Sequence, residues 1–138
     1  RNKINELQKK DVKVKVIVMG DFNDHPDNNS ILNILKASDK PKDKGDLYNA
    51  YQTLDANKQG THYFDKEWRV LDQIIVSQGF IGAKKGYKFE PKNAHILKKD
   101  FVLYKNAKTG EVSPSRTYSG TKYYNGYSDH LSVYITIE

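Results

Sequence analysis

The sequence predicts a single α/β (α+β) domain, mostly antiparallel sheet covered by a few short helices. Three observations carry that reading. Apolar residues alternate with period two over strand-length segments, and the spacing of an amphipathic helix recurs only in short pieces. At 138 residues the chain is long enough for one domain with a modest core and too short for two ordinary ones. Hydrophobic residues make up 37% and aromatics 12%, with ten tyrosines among them, which suits a packed core and excludes a disordered chain.

Ile4 and Leu7 stand at helical spacing and predict the end of a helix over residues 1–10. Val12, Val14 and Val16 alternate with lysines before Ile17-Val18-Met19 continues without a polar break. That pattern predicts a strand passing from an exposed edge into the core and ending at Gly20. Residues 26–30 form a turn rich in helix-starting residues, and Ile31, Leu32, Ile34 and Leu35 supply the apolar face of a short helix. A charged loop containing Pro41 follows, and a second short helix is expected from Asp46, with Leu47, Tyr48, Ala50, Tyr51 and Leu54 available for packing.

After Gly60, residues 61–64 and 69–77 flank Asp65-Lys66-Glu67-Trp68 and read as a hairpin. Residues 79–91 have weak periodicity and read mostly as loop. Residues 96–104 and 131–137 are the remaining strands, separated by irregular stretches at 106–110 and 114–126. In the last strand Leu131, Val133, Ile135 and Ile137 face one way, and Ser132, Tyr134, Thr136 and Glu138 the other.

Composition narrows the chemistry. Cysteine is absent, which excludes disulfides, thiolate catalysis and cysteine-ligated zinc. The net charge of +6, from 23 Lys plus Arg against 17 Asp plus Glu, suits a solvated lysine-rich surface or attraction to a polyanion such as nucleic acid or a phospholipid headgroup. Only Arg1, Arg69 and Arg116 are arginines, so bidentate phosphate grips are few. No apolar run approaches the roughly 20 residues that span a bilayer. The sequence opens Arg1-Asn2-Lys3 without a methionine and is expected to be a piece of a longer chain.

Three signatures stand out, in order: Gly20-Asp21-Phe22-Asn23, Leu71-Asp72-Gln73-Ile74 and Ser128-Asp129-His130. Each sets an acid or imidazole where a hydrophobic strand enters, crosses or leaves the core, where an unpaired charge costs several kcal/mol. Asp21 and Asn23 follow a strand at its carboxyl end, and a spacing of two puts both side chains on one side if the backbone stays extended. A strand-ending turn explains the same two residues. Asp72 shares a face with Val70, Ile74 and Val76 and so requires a cation, a metal or a histidine as partner. Asp129 has the parity of Leu131 and Val133, so it is expected to reach the mouth of the core while His130 points away. Asp24 reads as a turn acid, His25 as a surface histidine, and His62 and His95 as ordinary surface or half-buried residues.

Together these residues suggest metal-assisted hydrolysis. One acid and one amide would activate a water, another acid would hold a hard divalent cation, and a histidine would stabilise charge on the reacting phosphate. Asp72 would hydrogen-bond His130, favouring its protonated form and fixing its orientation. Carboxylate ligands without cysteine or a histidine cluster favour Mg²⁺ or Mn²⁺ over zinc.

This pattern resembles the endonuclease/exonuclease/phosphatase superfamily, the DNase I-like fold. The resemblance covers Gly20-Asp21-Phe22-Asn23, the strand around Asp72 and Tyr127-Ser128-Asp129-His130, in the order of the C-terminal half of a bacterial member. It implies that Asp21 orients or deprotonates the attacking water with Asn23 beside it. It also implies that Asp72 supports His130, that His130 contacts the scissile phosphate and that Asp129 contributes to metal binding. Arg116 is a candidate substrate contact or a structural residue, and Trp68 a packing residue.

Members of that superfamily are roughly twice as long, and an N-terminal half supplies a metal-binding glutamate that has no counterpart before Asp21. The resemblance therefore implies that residues 1–138 are half of a four-layer sandwich and that the N-terminal half of the domain is a missing partner. The first expectation for function is a nuclease, the fragment being inactive alone. A phospholipid or inositol-phosphate phosphohydrolase on the same fold, and a catalytically silent module binding nucleic acid or protein, are the alternatives.

Overall fold

The computed structural model describes residues 1–138. Helix α1 (Asn2–Lys10) leads to strand β1 (Ile17–Asp21), a short π-helical segment (Ser30–Leu35), strands β2 (Ala37–Ser38) and β3 (Leu47–Tyr48), and helix α2 (Tyr51–Ala56). A hairpin of β4 (His62–Phe64) and β5 (Glu67–Arg69) precedes β6 (Asp72–Ser77). Then come β7 (Phe89–Ile96), the small pairs β8 (Leu103–Lys105) with β9 (Val112–Pro114) and β10 (Tyr118–Ser119) with β11 (Lys122–Tyr123), and the closing strand β12 (Val133–Ile137).

Strand β6 is the axis of the molecule because Ile74-Ile75-Val76 is β-branched throughout and buried on both faces. It sits inside a four-stranded sheet of order β1-β6-β3-β2. β1 runs antiparallel to it, from Ile17 opposite Val76 to Asp21 opposite Asp72. On its other side Leu47 and Tyr48 of β3 pair with Ser77 and Val76, and β2 lies parallel to β3 at the far edge.

Alternation along β6 feeds two cores. Ile75 packs with Ile4, Ile31, Ala37 and Leu47, under α1 and the π-helical segment. Ile74 and Val76 pack with Val70, Ala50, Tyr51, Phe80, Phe89 and Ala94 on the opposite face. Each fully buried Val, Leu, Ile or Phe contributes about 1.5–3 kcal/mol. The antiparallel pair β7–β12 covers that second face with Ile96, Val133 and Ile135. Tyr51 fastens it, its hydroxyl lying 3.3 Å from the His95 carbonyl and 3.2 Å from that of Tyr134. Burial pushes the Tyr51 phenol well above its ordinary pKa, so it stays a neutral donor. The result is a layered α/β fold, mostly antiparallel with few short helices, consistent with part of a DNase I-like sandwich. No helix is long and apolar enough to cross a membrane.

Several expected elements differ. The alternation at 12–16 is not strand: Ser77 Oγ donates to the Val14 carbonyl at 2.6 Å and accepts the Val16 amide at 2.9 Å, so this segment crosses the end of β6. The strand ends at Asp21 rather than Gly20. The helix expected from Asp46 starts at Tyr51, because Leu47 and Tyr48 are drawn into the sheet. The hairpin turns on Asp65-Lys66 alone, at φ 49° and 64°, and closes at Arg69, so β6 belongs to a different sheet. β7 takes up residues 89–96 that read partly as loop, and the strand expected at 96–104 ends as β7 where it was to begin. Part of the irregular stretch at 114–126 forms the β10–β11 hairpin.

Candidate active site

The two ends of the sheet differ in chemistry. At the end where β1 finishes and β6 begins, Asp21 and Asp72 are direct cross-strand partners, so both carboxylates leave the sheet on one face. The ladder continues one step further, with the Phe22 amide donating to the Leu71 carbonyl at 3.0 Å. Beyond it the chain turns. The Asp21 carboxylate accepts the Asn23 amide at 2.9 Å, and Asn23 adopts φ 50°, a left-handed conformation that asparagine tolerates. The backbone is therefore not extended, as the spacing argument supposed, yet the Asn23 side-chain amide still reaches the Asp21 carboxylate at 3.4 Å.

A polar network anchors this loop from below. Gln73 is fully buried, accepts the Asn49 amide at 2.7 Å and donates to the Asp24 carbonyl at 2.8 Å. Asp24 itself holds the following turn through Asn28 and Ser30, whose hydrogen bonds keep its carboxyl below the ordinary range, Ser30 first. His25 is half-buried, its Nδ1 3.4 Å from Asp55.

The third signature arrives from far along the chain. His130 Nδ1 lies 2.7 Å from Asp72 Oδ2, with both side chains mostly withdrawn from solvent. With Nδ1–H donating to the carboxylate, Nε2 is the nitrogen left for a ligand. The expected parity is reversed here: Asp129 is exposed, and His130 turns inward. The reason is that β12 begins at Val133, and residues 128–130 form a turn in which Ser128 Oγ accepts the His130 amide at 3.1 Å. The signatures are also less buried than expected, since Asp21, Asn23 and Asp129 are exposed and only Asp72 and His130 are partly withdrawn.

Thr61 joins these parts and was not singled out in the sequence. It is fully buried, and its Oγ1 accepts the amides of Leu71 at 3.1 Å and Asp72 at 3.2 Å. Its carbonyl accepts the Leu131 amide at 2.7 Å. One residue thus sets the start of β6 and the turn that carries His130.

Its neighbour His62 was assigned an ordinary role, and the structure corrects that. His62 forms a β-bridge with His130, and the two rings are 4.5 Å apart. Its Nδ1 is buried without a hydrogen-bond partner. Burial, then the positive charges of His130 and Arg116, hold the imidazole below its ordinary pKa, against the opposing pull of Asp129 and Asp72. No sequence spacing signals this contact, because it is a long-range bridge between β4 and the Asp129 turn.

Arg116 is brought in by a backbone crossing. The amides of Tyr127 and Ser128 both donate to the Ser115 carbonyl, at 2.6 Å and 3.2 Å, and Thr117 Oγ1 donates to the Tyr127 carbonyl at 2.8 Å. The segment carrying Arg116 therefore lies against the segment that carries Asp129 and His130. Trp68 packs on Tyr63 at 5.4 Å and lies under Lys98, whose ammonium is 3.8 Å from the ring centroid. A lysine-lined hollow at Lys13, Lys15, Lys84 and Lys85 lies by Gln78, past the opposite end of β6, remote from these groups.

The donor set fits a divalent cation. Ligand atoms of Asp21, Asp72 and His130 lie within 4.8 Å of one another, as do those of His62, Asp129 and His130. Two carboxylates set directly opposite across a strand pair repel each other unless positive charge joins them. The oxygens of Asp21 and Asp72 suit a hard ion, whereas the expectation of ligands without a histidine cluster does not hold at Asp129, which sits with both His62 and His130.

A carboxylate–imidazole pair beside an exposed acid and amide, at the end of a layered sheet, has the parts of a metal-assisted hydrolase. The sequence profile described as Endonuclease/Exonuclease/phosphatase family matches residues 1–138. The chain belongs to that family, whose common chemistry is divalent-metal-dependent hydrolysis of phosphoester bonds. No curated protein and no solved structure matches it.

Proposed function

We propose that this chain carries part of the active site of a nuclease, hydrolysing the phosphodiester backbone of nucleic acid. The observation that carries the reading is the 2.7 Å contact of His130 with Asp72, which stands directly across the strand pair from Asp21, the first residue of the Asp21–Asn23 turn. Asp21 orients the attacking water and takes its proton as the water oxygen bonds to phosphorus, the ester P–O bond breaks and the leaving alkoxide takes a proton from solvent; the Asn23 amide holds Asp21 and the water in place. Asp72 fixes the imidazole of His130, whose Nε2–H donates to a non-bridging oxygen as charge develops on the phosphate. Asp129, with His62 and His130 close by, would hold Mg²⁺ or Mn²⁺, which would supply charge neutralisation at the phosphate when bound. Arg116 would contact a neighbouring phosphate. The net charge of +6 supports a polyanionic substrate.

The domain is read as the second half of a larger sandwich. β1 is an edge strand, and Met19 and Ile17 on it are 73% and 42% exposed. A bare apolar edge of that kind is normally paired or covered. The covering segment would also supply the metal-binding glutamate that the superfamily resemblance calls for. Residues 1–138 alone are accordingly expected to bind Mg²⁺ weakly and to turn over little. Tight one-site Mg²⁺ binding by this piece in calorimetry would contradict that.

The test is to express the complete reading frame and assay DNA, RNA and phospholipids with Mg²⁺, Mn²⁺ or EDTA, beside Asp21→Ala and His130→Ala. Metal-dependent cleavage of nucleic acid, lost in both variants, is expected. Undiminished hydrolysis in both variants removes this site assignment, and cleavage of phospholipid alone replaces the nuclease reading.

A further inference from the structure

The segment from Phe101 to Tyr127 contributes little to either core but carries an unusual surface. Phe101, Tyr104, Tyr118, Tyr123, Tyr124 and Tyr127 are each more than half exposed. Rings so placed leave π-faces in water, which a folded surface rarely does in one cluster without a partner. Some pair with each other, Tyr118 with Tyr123 at 5.2 Å and Phe101 with Tyr127 at 6.0 Å. Tyr104 and Tyr124 instead line a cavity of about 400 Å³ with Ser113, Ser115, Arg116 and Ser119. Lys122 stands over Tyr124, its ammonium 4.9 Å from the ring centroid.

That lining selects a ligand. Two phenols offer stacking surfaces, three serine hydroxyls offer hydrogen bonds to polar edges, and Arg116 with Lys122 offers positive charge. An acyl chain would leave the serines and the guanidinium unpaired, whereas a flat heterocycle attached to a phosphate satisfies all three. The volume of about 400 Å³ admits one base with its sugar.

Position ties the cavity to the reaction. Ser115, at its wall, accepts the Tyr127 and Ser128 amides immediately before Asp129-His130, and Arg116 is close enough to His62 to perturb it. A ligand in the cavity is therefore a neighbour of the reacting phosphate.

We propose that this cavity is a subsite for an unpaired nucleobase flanking the scissile phosphate, stacked on Tyr104 and Tyr124 with Arg116 on the adjoining phosphate. The proposal rests on the nuclease reading and adds a preference for single-stranded or locally unpaired nucleic acid.

The test uses the complete protein in EDTA, with a fluorescein-labelled single-stranded phosphorothioate oligonucleotide and its duplex, read by anisotropy. Tyr104→Ala and Tyr124→Ala are each expected to weaken single-strand binding about 10-fold or more, while the Phe variants stay within about twofold, since stacking needs the ring. Both side chains are exposed, so the melting temperature should not move, which separates lost stacking from lost fold. Equal affinity of the Ala variants and wild type, or equal binding of duplex and single strand, overturns the subsite. Loss of phosphatidylcholine vesicle binding in the Ala variants with oligonucleotide binding intact also overturns it, in favour of a lipid surface. Failure of the parent reading looks different: the wild-type protein then cleaves no nucleic acid with any metal.

Discussion

Replacing Thr61 by valine keeps the shape of the side chain and removes its hydroxyl. In the folded protein that hydroxyl accepts the Leu71 and Asp72 amides, at 3.1 Å and 3.2 Å, in a position with no solvent access. Valine leaves both part-buried donors unpaired, and each such group costs about 1–3 kcal/mol. The expected loss is about 2–6 kcal/mol, a large share of the roughly 5–15 kcal/mol that holds a domain of this size folded. At about 3 °C per kcal/mol, the melting temperature should fall by roughly 6–18 °C. Thr61→Ser retains the acceptor and should lose about 1 kcal/mol or less. Urea denaturation and thermal melts of the three proteins decide the matter. Because the same hydroxyl sets the start of β6, the valine variant should also hydrolyse more slowly under conditions where it is fully folded. A valine variant within about 0.5 kcal/mol of wild type, at unchanged denaturant slope, would refute the claim that Thr61 anchors Asp72.

Two further outcomes follow from the same geometry. His62 is held neutral by burial and by its positive neighbours, so between its lowered pKa and the ordinary value of 6.5 the unfolded chain binds more protons than the folded one. Its contribution to stability is thus present above 6.5 and fades as pH falls below it, and NMR titration in EDTA should place its midpoint below 6.5, with His62→Gln flattening the acid limb of the stability profile. Gly126→Ala would set a Cβ 2.2 Å from the Ser115 carbonyl oxygen and 2.5 Å from that of Arg116, so the crossing must open. A loss of about 1–3 kcal/mol is expected in thermal denaturation, and an unchanged melting temperature would show that the two segments do not lie against each other.

Local pattern sufficed where a segment is buried on its own account. Ile74-Ile75-Val76 had to be an inner strand, and the alternation of Leu131, Val133 and Ile135 matches their inward placement. The charged positions in the three signatures could be named from the sequence, because Asp72 has no place in an apolar strand without a partner, and His130 is found beside it. Local pattern misled wherever a tertiary contact outbid it. Val12, Val14 and Val16 alternate like a strand, but Ser77 takes the backbone groups of Val14 and Val16. Leu47 and Tyr48 have helical company in sequence and strand partners in space. His62 and Thr61 carry no signal of their own, since what makes them matter is a β-bridge to a turn 68 residues away from His62.

The central claim is that Asp72 and His130 work as one unit on the reacting phosphate, and a double-mutant cycle tests it most directly. Turnover of a chromogenic bis-aryl phosphodiester is measured with Mg²⁺ for the complete protein, Asp72→Asn, His130→Gln and the double variant. Each single change should lower kcat by about 10²–10⁴-fold, and the double variant should be no slower than the worse of the two. Losses that multiply, or a double variant as active as wild type, would contradict the account.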